Sequence, residues 1–283
     1  MDLIKESSGR RPIVIVGGTG KTGRRLAQRL AGRGLAVRIG SRSGNPPFDW
    51  ENRATWAPLL QNAGAVYVTY APDLAVPGAP EAIGAFSRLA VEQGVRRVVL
   101  LSGRGEEGAL LSEQALRDSG ADWTILRASW FCQNFSESFL LDQVLSGTVA
   151  LPVTDVTEPF IDAEDIADAA AEVLSGSGHI GHVYELTGPR ALTFAEATEA
   201  IARASGRDIR YLSLSSAQFA SALSQQGLPA EVLALMTELF TVVLDGRNSG
   251  ITDGVQRVLG RKPRDFSEYA KITAAAGVWE GDE

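Results

Sequence analysis

The sequence predicts an α/β fold: a doubly wound parallel sheet with a smaller, mostly helical C-terminal part. Three observations predict it. Short β-branched runs alternate with helix-length amphipathic stretches through the first half of the chain. The first of these runs, Ile13-Val14-Ile15-Val16, passes through a glycine turn directly into a helix. The second half carries long stretches with apolar residues at i, i+3 and i+4.

Four consecutive β-branched residues suit a parallel strand covered on both faces, and the helix that follows sets Leu26, Ala27, Leu30 and Ala31 on one stripe. The turn between them reads Gly17-Gly18-Thr19-Gly20-Lys21-Thr22-Gly23. Its Gly17-x-x-Gly20-x-x-Gly23 spacing is a variant of the dinucleotide fingerprint. In that motif the first glycine permits the tight turn, the second lets backbone approach a pyrophosphate, and the third lets helix and strand pack closely. Free N–H groups at the helix start then face the anion. A nucleoside-triphosphate loop is excluded, because that motif needs glycine five residues before Gly20 and position 15 is Ile15. The predicted sheet is therefore of the Rossmann type.

The second strand is Gly34 to Gly40, ending in Ser41-Arg42-Ser43. An acidic residue near this point holds the ribose 2′-hydroxyl of NAD, whereas an arginine accommodates a 2′-phosphate. No acidic residue lies between the start of this strand and Asp49, so Arg42, with Ser41, points to NADP(H). Phe48-Asp49-Trp50 reads as a short strand end and Ala54 to Asn62 as a short helix, with Trp50 placed beside the adenine or in the core. Ala65 to Thr69 is the next strand, and it runs into Tyr70-Ala71-Pro72 at the carboxyl edge, where open α/β sheets bind ligands. A helix over Glu81 to Gln93 leads to strand Val98 to Leu101, which delivers Ser102-Gly103 to the same edge. After a helix over Leu111 to Ser119, strand Trp123 to Leu126 leads into Arg127 to Phe135.

Beyond this, Glu158 to Ile161 is extended, and Asp162 and Asp165 open a helix through Leu174 as cap and dipole partners. His182 to Leu186 returns as a strand, Phe194 to Ser205 is helical, and Ile209 to Leu214 is extended. A helix from Pro229 carries Val232, Leu235, Met236, Leu239, Phe240 and Val243 as a wide stripe that must be buried against the sheet domain or an apolar ligand. The expected organisation is a flexible stretch over 1–11, an NADP-binding domain over 12–150 completed by a strand around 182–187, and a substrate-covering part over 151–283.

Composition narrows the function. The 283 residues include 27 basic and 34 acidic side chains, a net charge of −7, with no basic cluster after Arg10-Arg11. Nucleic acid and anionic membranes are poor partners for such a surface, and a small apolar or cationic substrate suits it better. One cysteine, Cys132, permits no internal disulfide, and His179 and His182 without a nearby cysteine predict no metal site. With no signal-like segment and no apolar run of membrane-spanning length, the expectation is a soluble, cytoplasmic monomer or homodimer.

The runs Val14 to Gly23, Val98 to Ser102, Ser119 to Arg127 and Phe131 to Phe135 resemble the NmrA-like atypical short-chain dehydrogenases. Within that group the chain is similar to the ergot-alkaloid dehydrogenases of the agroclavine and festuclavine type. The matching residues there are Gly18 to Thr22, Ser41 to Ser43, Phe48 to Trp50, Thr55-Trp56, Ala65 to Tyr67, Trp130-Phe131, Asn134 to Glu137 and the tail Gly260 to Phe266. The resemblance implies an extended NADP fold with the cofactor on the first turn and Arg42. It also implies a substrate cleft between the sheet edge, Trp130 to Asn134, and the C-terminal helices.

One feature of typical short-chain reductases is missing. They protonate a carbonyl oxygen with a tyrosine four residues before a lysine, since hydride addition to C=O builds an alkoxide that needs a donor. The residues four places after Tyr67, Tyr70, Tyr184, Tyr211 and Tyr269 are Ala71, Leu74, Gly188, Ser215 and Thr273. An iminium ion already carries the charge that protonation would create, and a quinone or enone delocalises its oxyanion. The expectation is an NADPH-dependent reductase of such an activated acceptor. Gly17, Gly18, Thr19, Gly20, Lys21 and Thr22 would hold the phosphates, with Arg42 on the 2′-phosphate. Tyr70, Ala71, Pro72, Ser102 and Gly103 would lie on the nicotinamide side, Ser102 or Tyr70 donating any hydrogen bond required. Trp130, Phe131 and Asn134 would form the substrate wall. Two alternatives stay open: a cofactor-sensing binding protein, and a non-redox cyclase or dehydratase.

Overall fold

The computed structural model describes residues 11–225 and 230–281. Strand β1 (Ile13–Val16) enters through the glycine turn into helix α1 (Lys21–Gly32), followed by β2 (Val37–Gly40), α2 (Trp56–Leu60), β3 (Ala65–Val68), α3 (Ala79–Glu92), β4 (Arg97–Gly103), α4 (Glu107–Arg117) and β5 (Asp122–Ala128). The chain continues through α5 (Leu141–Leu145), β6 (Thr148–Leu151), β7 (Thr157–Glu158), α6 (Ala163–Ser175) and β8 (His182–Leu186). It closes with β9 (Leu192–Thr193), α7 (Phe194–Ser205), β10 (Arg210–Ser213), α8 (Ser216–Ser224), α9 (Ala230–Glu238), α10 (Gly254–Leu259) and α11 (Phe266–Ala275).

The main sheet has the order β2-β1-β3-β4-β5-β8, parallel throughout. The alternation expected of a sheet covered on both sides is explicit in its cores. Ile13, Ile15, Tyr67, Val99 and Leu126 join Leu26 and Leu30 of α1 and Ile166 and Ala170 of α6. Val14, Val16, Val66, Val98 and Leu100 face the other way onto Trp56, Phe86 and Leu116.

A second core belongs to the helical part. Phe135, Phe160, Phe194 and Phe266 pack with ring centroids 5.1 to 6.1 Å apart, and the Trp279 indole N–H donates to Phe135 O at 2.9 Å. Two small sheets edge it, β6 parallel to β10 and β7 antiparallel to β9. The chain tail is fastened to α6: the Arg264 backbone N–H donates to Asp165 at 2.6 Å and its guanidinium to Asp162 at 2.9 Å. Asp162 also caps α6 by accepting from the Glu164 N–H.

Several expectations are corrected. Phe48-Asp49-Trp50 is not a strand end, because the Asp49 backbone is taken by Thr55 and by the Trp56 indole N–H, which hold the segment as a loop. The second strand starts at Val37 rather than Gly34, since the Leu35 N–H still bonds back to Leu30 O of the preceding helix. The expected long C-terminal helix breaks after Glu238 into a wider π turn over Leu239–Val243. That extra residue per turn lets Phe240 enter the second core while Leu235 and Leu239 face a cavity. The stretch before Arg11 and the expected helix start at Pro229 lie outside the described residues.

Candidate functional site at the carboxyl edge of the sheet

Gly17 has φ +72°, and its carbonyl stands where a Cβ of Gly23 would be, so helix and turn touch backbone to backbone. No side chain caps α1 at Gly20. Its first N–H groups therefore have no partner from a capping side chain, and the turn has the form of an anion cradle. Gly18 is buried, Thr19 and Gly20 are exposed, and the buried Thr22 hydroxyl accepts a hydrogen bond from Tyr67 at 3.0 Å. What Thr22 offers an anion is its backbone N–H. At the end of β2, Ser41 O accepts from Gly44 and Phe48, while the exposed Arg42 side chain bonds to no other described residue.

Beside this turn lies a cavity of about 380 Å³, within the range of small-molecule sites. Lys21, Tyr70, Pro72, Ser102, Gly103, Trp130, Phe131 and Asn134 all line it. The structure thus brings together residues from the ends of β3, β4 and β5 with the first helical residue after the turn. Trp50 stands behind, its indole N–H donating to Thr69 O at 3.2 Å and its ring 4.9 Å from that of Tyr70. Ala71 is exposed, joined to Pro72 by a cis peptide.

Two candidate donors differ in what they can offer. The buried Ser102 hydroxyl donates to Glu113 Oε1 at 2.8 Å, and Glu113 also accepts from Arg127 at 2.9 and 2.6 Å. Its proton is committed to that network. The Tyr70 hydroxyl has no partner among the described residues, and burial together with Glu51 and Glu81 raises its pKa, so it remains a protonated donor at neutral pH.

Sequence reasoning missed other parts of the wall. Leu74, Leu101 and Phe139 make it apolar together with Leu235 and Leu239 of the expected C-terminal stripe, and Asp73, Arg104, Glu106 and Ser129 make it polar. Burial, with Asp73 and Glu238 nearby, pushes the Glu106 carboxyl up to about 9. Burial pushes Glu158, which accepts from the Trp130 N–H behind the wall, up to about 7. The signal that could have found Glu106 is its place three residues after Gly103, at a strand end that reading had already put on the ligand edge. Burial lowers the Lys21 pKa, and its ammonium donates to Asn134 at 3.3 Å. His179 and His182 lie apart, around Tyr184.

The NmrA-like family model matches residues 111–270. The uncharacterized oxidoreductase YesF of Bacillus subtilis (strain 168) is 35% identical over 277 residues, 93% of this chain and 96% of that one. This chain belongs to the NmrA-like family. Among other relatives of this NmrA-like chain, agroclavine dehydrogenase of Claviceps fusiformis is 30% identical over 290 residues, 94% of this chain and 98% of that one. In structure, the NADPH complex of the quinone oxidoreductase QOR2 from Escherichia coli matches with a TM-score of 0.74 and 23% identity, covering 92% of this chain and 99% of that chain. The NmrA-like fold is thus shared over nearly the full length.

Proposed function

We propose that this NmrA-like chain is an NADPH-dependent reductase of an activated small molecule, a cyclic iminium, a quinone or an enone, of the kind met in secondary metabolism. One observation carries the reading: an apolar, aromatic-walled cavity opens directly beside an uncapped glycine turn, and the sequence holds no tyrosine four residues before a lysine. Relatives named as an agroclavine dehydrogenase and an NADPH-dependent quinone oxidoreductase support both the cofactor and the acceptor class.

When bound, NADPH supplies a hydride. Gly17, Gly18, Thr19, Gly20 and Thr22 would hold its phosphates through backbone N–H groups at the start of α1, with Lys21 contributing charge. Arg42 and Ser41 would take the 2′-phosphate, with Trp50 on the adenine side. Tyr70, Ala71, Pro72, Ser102 and Gly103 would flank the nicotinamide, and Trp130, Phe131 and Asn134 would hold an apolar or cationic acceptor over it. Leu235 and Leu239 add apolar surface to the cavity wall.

The test is a mixture of purified protein with NADPH and a panel of iminium, quinone and enone compounds, followed at the reduced nicotinamide absorbance. Consumption with at least one class is expected. Tight NADPH binding without consumption would instead favour a cofactor-sensing protein.

A further inference from the structure

We propose that Glu106, paired with Asp73 in the cavity wall, is the proton donor when the acceptor is neutral. The proposal rests on the reductase reading and names a residue that reading lacks. Glu106 occupies the position before α4, with φ −96° and ψ 116°, yet its carboxyl makes no capping bond to the helix. The side chain instead folds back over the end of β4. A Cβ added at Gly103 would collide with the Glu106 carboxyl, whose Oε2 lies 2.7 Å from that point. The acid therefore sits on the strand end beside Ser102, at the carboxyl edge of the sheet.

Asp73 reaches the same cavity from the loop after β3. That loop is tied to α4 by Ser112, which donates to Leu74 O at 3.0 Å. Asp73 Oδ1 accepts the Ala75 N–H at 2.8 Å. Burial and the neighbouring Asp73 both favour the protonated form of Glu106. Glu238, at the end of α9, adds a further like charge. The nearby cations are engaged elsewhere: Arg104 with Glu185 and the carbonyls of Asn248 and Gly250, and Lys21 with Asn134. Burial and these like charges keep Glu106 protonated through neutral pH, and it is a stronger acid than Tyr70. Ser129 lines the same cavity, 3% exposed, with a hydroxyl that has no hydrogen-bond partner among the described residues.

A quinone or enone gains a hydride at its electrophilic centre, and its π electrons move to oxygen. That oxygen takes the Glu106 proton as the carboxyl O–H bond breaks, and solvent returns a proton to the Glu106–Asp73 pair. NADPH is oxidised and the acceptor is reduced by two electrons.

The test compares a quinone with a preformed cyclic iminium in Glu106→Gln, Asp73→Asn and Tyr70→Phe, with NADPH affinity as the measure of correct folding. On the quinone, kcat of Glu106→Gln is expected to fall roughly 100-fold or more, a loss at least about tenfold greater than on the iminium, which needs no proton. The wild-type rate on the quinone should decline above about pH 9. In Asp73→Asn, with the like charge gone, that decline should move to lower pH. Infrared titration of the cofactor-free protein should show a protonated carboxylic acid signal at neutral pH that is missing in Glu106→Gln. Equal losses on both acceptors, an unmoved pH decline, an infrared signal unaffected by the substitution, or the selective loss appearing in Tyr70→Phe instead would each overturn the donor role. A wild type that reduces neither acceptor overturns the reductase reading and the donor with it. Reduction of both acceptors with Glu106→Gln unimpaired overturns the donor alone.

Discussion

The Lys21 ammonium donates to Asn134 Oδ1 at 3.3 Å, joining the first residue of α1 to the turn after β5 across 113 positions of sequence. This bond fixes the side of the cavity where the glycine turn meets the substrate wall. Lys21→Met should weaken NADPH by about tenfold, about 1.4 kcal/mol, whereas Asn134→Ala should act mainly on the KM of the acceptor. Calorimetric titration of NADPH and steady-state kinetics separate the two, and a larger loss of NADPH affinity in Asn134→Ala would contradict the assignment.

Arg42 carries the cofactor preference. Losing a hydrogen bond to a charged group costs about 1.5 to 3 kcal/mol, so Arg42→Ala should lose NADPH affinity by that amount while NADH affinity stays close to the wild-type value. Equal losses for both nucleotides would remove Arg42 from the 2′-phosphate.

Under the cavity, Glu113 is fully buried and accepts from Ser102, Arg127 and Arg117. Breaking a buried pair strands the remaining charge, so Glu113→Ala should lower unfolding free energy by about 3 to 5 kcal/mol. Ser102→Ala, which removes one bond of the network, should lose about 1 kcal/mol. Urea denaturation measures both, and near-equal values would deny Glu113 its place as the hub.

Glu158 sets a pH dependence. Its carboxyl titrates near 7 in the folded chain against an ordinary value of 4.5. Between these values the unfolded chain releases a proton that the folded chain keeps. Stability should therefore fall with rising pH across that window, by up to roughly 1.4 kcal/mol per unit for this group, and level off above it. Glu158→Gln should remove this contribution, so denaturation at pH 5 and at pH 7.5 should differ less in the variant than in the wild type.

Much of the sheet was legible because its information is local. Ile13 to Val16 and His182 to Leu186 are strands from β-branched and alternating character alone, and the glycine spacing marks the turn. The helix Phe194–Ser205 matches its expected bounds, set by a Thr193–Glu196 capping box and by Gly206. What was not legible depends on partners distant in sequence. The widened turn at Leu239–Val243 exists because Phe240 packs on Trp130, Phe139 and Phe219, which no period in the helix announces. Ser102 stood out as a donor at a strand end, but its bond to Glu113 requires α4 to lie over β4. Glu106 lay before the helix expected over Leu111 to Ser119 and drew no reading, and only its fold back over Gly103 places it in the cavity.

The central claim is hydride delivery to an acceptor held in this cavity, and transfer of label tests it most directly. With NADPH carrying deuterium at both hydrogens of the nicotinamide C4 in ordinary water, the reduced product of an iminium or enone should carry one deuterium at the carbon that was electrophilic. Product without deuterium, or no product while NADPH stays bound, would contradict the account.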